Sequence, residues 1–181
     1  MPAALPESDR LRLRELRATD AGFMLALLND PDFITHIGDR GVRTEAQALA
    51  HLEAGPLAGY REHGHHLWLV EARPGGEATG VCGLIRRDSL PHPDIGYAFL
   101  PAWRGRGLAA EAGRLVLAHG LQTLRLPRIL AIVNESNTAS RRLLESLGMR
   151  NEGLQTVGEH ELLVYGIDGP AALTPASGCG N

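Results

Sequence analysis

The sequence predicts an α/β (α+β) domain: a mixed, mostly antiparallel sheet with one parallel strand–helix–strand crossover and helices on both faces. Three observations carry this. Short apolar or alternating runs recur along the chain, separated by glycine, proline and asparagine clusters. Helix-period segments with capping signals stand among them. Residues 94–133 place a strand, a helix and a second strand in succession, the order a parallel pair needs. A length of 181 residues fits one domain with a proper core better than two small ones.

The elements follow in order. Leu11, Leu13 and Leu16 among arginines mark a strand near residues 10–16. Thr19 or Asp20 caps a helix running to about Asn29, where "NDP" stops it. "TEAQ" at 44–47 is a capping box: the threonine oxygen accepts from the first turn and the glutamine reaches back. The helix it opens meets Pro56 and is expected to kink or break there. "HLWLVEA" (66–72) and "EATGVCGLIRR" (77–87) flank "RPGG", a hairpin signal. Ahead of them "HGHH" (63–66) reads as a polar loop, because separated partner ligands for a metal are missing. After the loop "DSLPHP" comes the strand "DIGYAFL" (94–100). Residues 108–124 form a helix with Leu117, Leu121 and Leu124 on one side. "ILAIV" (129–133) reads as a strand buried on both faces. Residues 138–147 form a helix ended by Gly148 as its left-handed cap. "MRNEGLQTV" and "ELLVYGI" close the sheet around Gly158, and the tail "GPAALTPASGCGN" is expected to be disordered.

Composition excludes several classes. The net charge is −3, from 18 basic and 21 acidic residues, so a general nucleic-acid or anionic-membrane binder is not expected. Every basic residue is arginine. Cys82 and Cys179 lie far apart with no CxxC, against a disulfide framework and against zinc; no metal is expected. No window approaches the ~18 apolar residues of a membrane span, and a cytoplasmic location is the expectation.

The stretch "PAWRGRGLAAEAG" (101–113) carries chemistry. The first turn of a helix has N–H groups without intrahelical partners, and the helix dipole adds positive potential there. A strand feeding that turn through Gly105 and Gly107 lets the backbone close around an anion, pyrophosphate best of all. Arg104 and Arg106 add charge that forks onto phosphate oxygens. A surface turn is the plain alternative for so short a motif. "NESNTASRRLLESLGM" (134–149) begins where the second parallel strand ends, so both segments converge on one crevice at the strands' carboxyl ends. Ser140, Leu143, Leu144 and Leu147 share one helix face, which points the Ser140 hydroxyl toward the packed side. A hydrogen bond within the first turn, near the capping Asn137, would equally occupy that hydroxyl.

"IGYAFLPAWRGRGLAAEA" followed by "NESNTASRRLLESLGM" resembles the GNAT superfamily of N-acetyltransferases, in particular its ribosomal-protein N-terminal acetyltransferase-like branch. The similarity extends over residues 10–168, implying a single domain of the acyl-CoA N-acyltransferase fold between flexible termini 1–9 and 169–181. Arg104, Gly107 and Ala109 fill the family's acetyl-coenzyme A signature. The resemblance implies that the backbone amides of Arg104, Gly105, Arg106, Gly107, Leu108 and Ala109 hold the coenzyme A pyrophosphate. It implies that the main chain of Phe99 and Leu100 binds the pantetheine arm like an added strand. Asn137 would contact the arm from the other side, with Ser140 near the thioester sulfur. Many members carry a tyrosine general acid where this chain has Leu144. The cofactor implied is acetyl-CoA; the partner is an amine-bearing small molecule or protein N-terminus, and a homodimer is common among relatives.

Acetyl transfer needs a group to take the amine proton, donors for the thioester oxygen and help for the leaving thiolate. The backbone at 98–100 and the Ser140 hydroxyl serve the last two. Asp94 ranks first as base, ahead of Glu161 and His160; a strand cap or an arginine pair is its alternative role. Two other readings stay open. A dinucleotide-binding oxidoreductase is matched by Gly105, Gly107 and Ala110, with Glu135 as ribose acid, but Glu135 falls about thirty rather than ~20 residues on. An acyl-CoA-binding module with weak chemistry is the other.

Overall fold

The computed structural model describes residues 4–170; of the tail expected to be disordered (169–181), residues 171–181, Cys179 among them, lie outside the described residues. Alternation sets the first strand: in β1 (Leu11–Glu15) Leu11 and Leu13 are buried while Arg12 is exposed. Strands β2 (Leu67–Ala72), β3 (Ala78–Ile85) and β4 (Asp94–Phe99) follow, then β5 (Arg128–Val133), β6 (Arg150–Val157) and β7 (His160–Asp168). They form one seven-stranded sheet in the order β1-β2-β3-β4-β5-β7-β6. All neighbours pair antiparallel except β4 with β5, which is parallel. The predicted fold class is the observed one. Ahead of β1, Ser8 N–H donates to Leu11 O at 2.8 Å and Leu5 packs on the core.

Among the described residues six α-helices cover the sheet: α1 (Ala21–Leu28), α2 (Pro31–His36), α3 (Glu45–Leu52), α4 (Ala58–His63), α5 (Leu108–Ala118) and α6 (Thr138–Ser146). Strand parity divides them. Trp68, Val70, Cys82 and Leu84 pack with Ala112 and Val116 of α5 and Leu144 of α6. Leu69 and Val81, on the opposite face, pack with Met24 and Leu27 of α1 and Ala48 and Leu52 of α3. The capping box stands as read, with Gln47 N–H donating to Thr44 Oγ1 at 3.2 Å.

Three local expectations are corrected. "NDP" ends α1 but at once opens α2: Pro31 takes the first helical turn and Asp30 Oδ2 accepts from Phe33 N–H at 3.1 Å. Pro56 does not break the chain's course, because a π turn over Glu53–Leu57 takes it in and α4 continues to His63. "HGHH" is not a solvated loop throughout. Gly64 caps α4 in the left-handed region (φ 76°), and His65 is buried with Nδ1 2.7 Å from Leu84 O.

One feature of the sheet positions the site. β4 and β5 pair at a single position, Asp94 with Leu130, where Leu130 N–H donates to Pro93 O at 2.9 Å. Beyond that point the two strands diverge toward their carboxyl ends. Leu100 N–H donates to Thr79 O of the β3 side at 2.9 Å. By the alternation of strand backbone, the main-chain groups of Ile95, Tyr97 and Phe99 therefore point the other way, into the gap.

Candidate functional site

The gap runs from its apex at Asp94 to the loop that follows β4. That loop is a 3-10 turn over Pro101–Trp103 and then Arg104, Gly105, Arg106 and Gly107. Gly105 (φ 71°) and Gly107 (φ 76°) both lie in the left-handed region, which a side chain would oppose. The first intrahelical bond of α5 runs from Glu111 N–H to Gly107 O at 3.1 Å. The N–H groups of Leu108, Ala109 and Ala110 thus have no partner within the helix. They share the mouth of the gap with the exposed residues 105–107. Unpartnered amides beside two left-handed glycines are an arrangement that can accept an anion.

The two loop arginines part company. Arg104 is a structural clamp: its guanidinium is ion-paired with Asp30, reaches Asp32 Oδ2 at 2.6 Å, and donates from Nε to Phe99 O at 2.9 Å. With two carboxylates on it, Arg104 adds no net charge for a phosphate, and its N–H is spent on Pro101 O at 3.2 Å. Among the described residues no carboxylate pairs with Arg106, whose guanidinium lies 5.1 Å from the centre of the Trp103 ring. Arg10 of the β1 approach, which the sequence did not single out, donates to Arg106 O at 3.0 Å and pairs with Glu111. It ties the loop to the first turn of α5. Leu100 is likewise corrected: its N–H goes to Thr79 and its carbonyl accepts from Trp103 N–H at 2.9 Å, so its main chain turns away from the gap. Phe99 O accepts from Arg104, while the Phe99 N–H, by strand alternation, faces the gap.

Asn137 caps α6, its Oδ1 accepting from Ser140 N–H at 3.2 Å. Ser140 is half-buried in the first turn, and its hydroxyl is hydrogen-bonded to the Tyr97 hydroxyl. That phenol comes from β4, across the gap. Burial holds it protonated, with its pKa pushed up to about 12. Nothing in the local sequence motifs assigns Tyr97 a role. Strand period could have found it, since Ile95, Tyr97 and Phe99 share the face that packs on α5 and α6. Leu144, where the resemblance implies a tyrosine, is 1% exposed and belongs to the core.

Asp94 sits at the apex with its side chain 1% exposed, its Oδ1 accepting from Arg87 Nε at 2.8 Å. Burial raises its pKa, and Arg87 opposes that rise. By parity its side chain lies on the α1 and α3 face, opposite Tyr97 and Ser140. Glu161 lies elsewhere, in an open cleft of about 480 Å³ with Asn134, Glu135, Ser136 and Leu154. His160 is exposed at the β6–β7 turn. Asn134 Nδ2 donates to His36 O at 3.3 Å, bringing the end of α2 to the end of β5. Among the described residues no group of three or more His, Cys, Asp or Glu could hold a metal ion. No helix among them is long and apolar enough to cross a membrane.

Residues 10–150 match the family model described as the acetyltransferase (GNAT) domain. The chain belongs to the GNAT acetyltransferase family. A relative in Bacillus subtilis (strain 168), the uncharacterized N-acetyltransferase YoaA, is 30% identical to this GNAT protein over 149 residues, covering 82% of this chain and 84% of its own. Among solved structures, the acetyltransferase from Agrobacterium tumefaciens str. C58 superposes with a TM-score of 0.77 at 25% identity, over 90% of this chain and 92% of that one. RimL, a ribosomal L7/L12 alpha-N-protein acetyltransferase solved in complex with coenzyme A, has a TM-score of 0.80 at 17% identity, over 93% and 99% of the two chains. It shares the GNAT fold. The dinucleotide alternative loses its basis, because a single parallel strand pair cannot supply two mononucleotide-binding halves.

Proposed function

We propose that the protein transfers an acetyl group from acetyl-CoA to a primary amine, by direct attack within a ternary complex. The observation that carries this is the gap between β4 and β5, paired only at Asp94 and Leu130 and ending at the Gly105–Gly107 loop. An extended arm fits between diverging strands as an added strand would, and an anion at the arm's end meets the unpartnered amides of α5. Acetyl-CoA supplies the acyl group as a thioester. The residues do the rest. Gly105, Arg106, Gly107, Leu108 and Ala109 bind the pyrophosphate, with Arg106 adding exposed charge. The Tyr97 and Phe99 N–H groups face the gap and serve the arm and the thioester oxygen. Asp94 takes the amine proton through a water, since its carboxylate is too buried for direct contact; a pKa raised by burial suits that role. Ser140 donates to the departing sulfur. The cleft of Glu135 and Glu161 beside Asn137 receives the protonated acceptor.

Free-thiol release from acetyl-CoA, measured against peptides, polyamines and aminoglycosides, tests the reading. Amine-dependent release by at least one class is expected. Tight acetyl-CoA binding with no amine-dependent release would leave a binding module instead.

A further inference from the structure

Leu144 leaves the family's tyrosine position without a hydroxyl, yet a phenol still reaches the site. Tyr97 extends from β4 and Ser140 from the first turn of α6, and their hydroxyls meet across the gap. Each belongs to one wall: β4 carries Tyr97, and α6 follows directly from β5. The pair therefore closes the gap on the α5 and α6 face, where an arm lying between the strands must pass. We propose that Tyr97 is the positioning residue of the leaving-group site: its phenol donates to Ser140 Oγ and so turns the Ser140 proton toward the departing sulfur.

The chemistry sets the direction of the bond. A phenol is the stronger donor of the two hydroxyls, so Tyr97 O–H donates and Ser140 Oγ accepts. Ser140 then has its own proton to give, and the gap is the open direction for it. Donating while accepting also polarises the serine O–H and strengthens its bond to an anion. The pair does not deliver a proton. A phenol at about 12 faces a thiol whose ordinary value is about 8.5, and transfer from one to the other is disfavoured by roughly a thousand-fold or more. During the step the amine nitrogen bonds to the acetyl carbon and the carbon–sulfur bond breaks with its electron pair on sulfur. The amine proton leaves through the base, and solvent protonates the thiolate after release. Tyr97 and Ser140 keep their protons throughout and stabilise the charge in between. Where the family's tyrosine would act from the α6 position of Leu144, this chain uses a two-hydroxyl bridge from the opposite wall.

This inference rests on the acetyltransferase reading, and its test separates the two. Coenzyme A is bound to wild type, Tyr97→Phe, Ser140→Ala and the double variant, and the thiol of the bound ligand is titrated by its ultraviolet thiolate absorbance. In wild type the bound thiol should titrate about one unit below free coenzyme A, and Tyr97→Phe should return most of that shift although it keeps the ring. Tyr97→Phe should also lower kcat about tenfold while KM for acetyl-CoA changes less than about twofold. In the Ser140→Ala background the tyrosine change should cost nothing more, because its effect runs through the serine. A bound thiol with the same pKa in wild type and Tyr97→Phe overturns the inference and leaves the acetyltransferase reading intact. Additive losses in the double variant overturn it equally. Failure of coenzyme A to bind any of the four proteins overturns both.

Discussion

Gly107→Val separates what the loop does for the fold from what it does for a ligand. Gly107 stands at φ 76°, where a non-glycine residue costs about 1–2 kcal/mol. Space within the protein is not the obstacle, since a Cβ there would meet nothing closer than Arg10 Nη2 at 3.7 Å. The variant should therefore fold, with a melting temperature lower by about 2–8 °C for a domain of this size. The ligand meets a different situation. The branched side chain would stand at the N-terminus of α5, over the amides proposed to hold pyrophosphate. At a free concentration of 100 times the dissociation constant, coenzyme A should stabilise the wild type by about 2.7 kcal/mol. That corresponds to a rise of about 5–11 °C. The assay is one thermal-shift series: both proteins alone, with coenzyme A and with NAD. Wild type should rise with coenzyme A only, and Gly107→Val should rise with neither. A Gly107→Val protein that melts lower but gains the full coenzyme A increment would refute the cradle and place the pyrophosphate elsewhere.

The other predictions follow from the same geometry. Arg104→Ala leaves Asp30 buried without its cation and should lower stability by about 3 kcal/mol in urea denaturation, whereas Arg106→Ala should leave stability unchanged and weaken coenzyme A binding in a salt-dependent way. Equal stability losses for the two arginines would contradict this division. Ser140→Ala should raise the barrier by about 1–3 kcal/mol, read as kcat at saturating acetyl-CoA with affinity nearly kept. With Asp94 as base, activity rises with pH as its carboxylate ionises; Asp94→Asn should lower the rate and flatten that limb, and an unchanged profile would pass the role to Glu161, His160 or a water chain. His66 is held neutral by burial, its pKa lowered from 6.5 to about 4. The unfolded chain then binds the extra proton in that window, so stability should fall as pH drops from 6.5 toward 4, and His66→Gln should reduce the slope in pH-dependent melts.

Much of this was legible because period and capping are local. The run 129–133 became β5 within one residue, the helix at 138 starts where Asn137 caps it, and the hairpin turns at Gly158. The predicted helix 108–124 is real as α5 followed by a π turn over His119–Thr123. What local signals could not reveal was pairing at a distance. The clamp on Arg104 joins residues more than seventy positions apart, so a motif that pairs arginine with glycines reads as a phosphate site when the arginine is already spoken for. Tyr97 and Ser140 stand forty-three positions apart, and only the divergence of two strands brings a phenol from one wall to a serine on the other. The short α2 was hidden by proline chemistry, which stops one helix and starts the next with the same residue.

A seven-stranded sheet joined at its middle by one residue pair is, mechanically, two sheets of four and three strands with a seam. Ile95 and Phe99 on one side, and Ile129 and Val133 on the other, meet in one apolar cluster, so side-chain packing rather than a backbone ladder resists shear along it. Packing of that kind is non-directional and yields to small changes of angle at little cost. The seam also hides two strand edges inside the molecule, where no second chain can add to them. An extended ligand lying along the seam would weld the pieces into one cooperative unit. Amide exchange at Tyr97 and Phe99 should then slow most on binding, while the outer strands β1 and β6 hardly change.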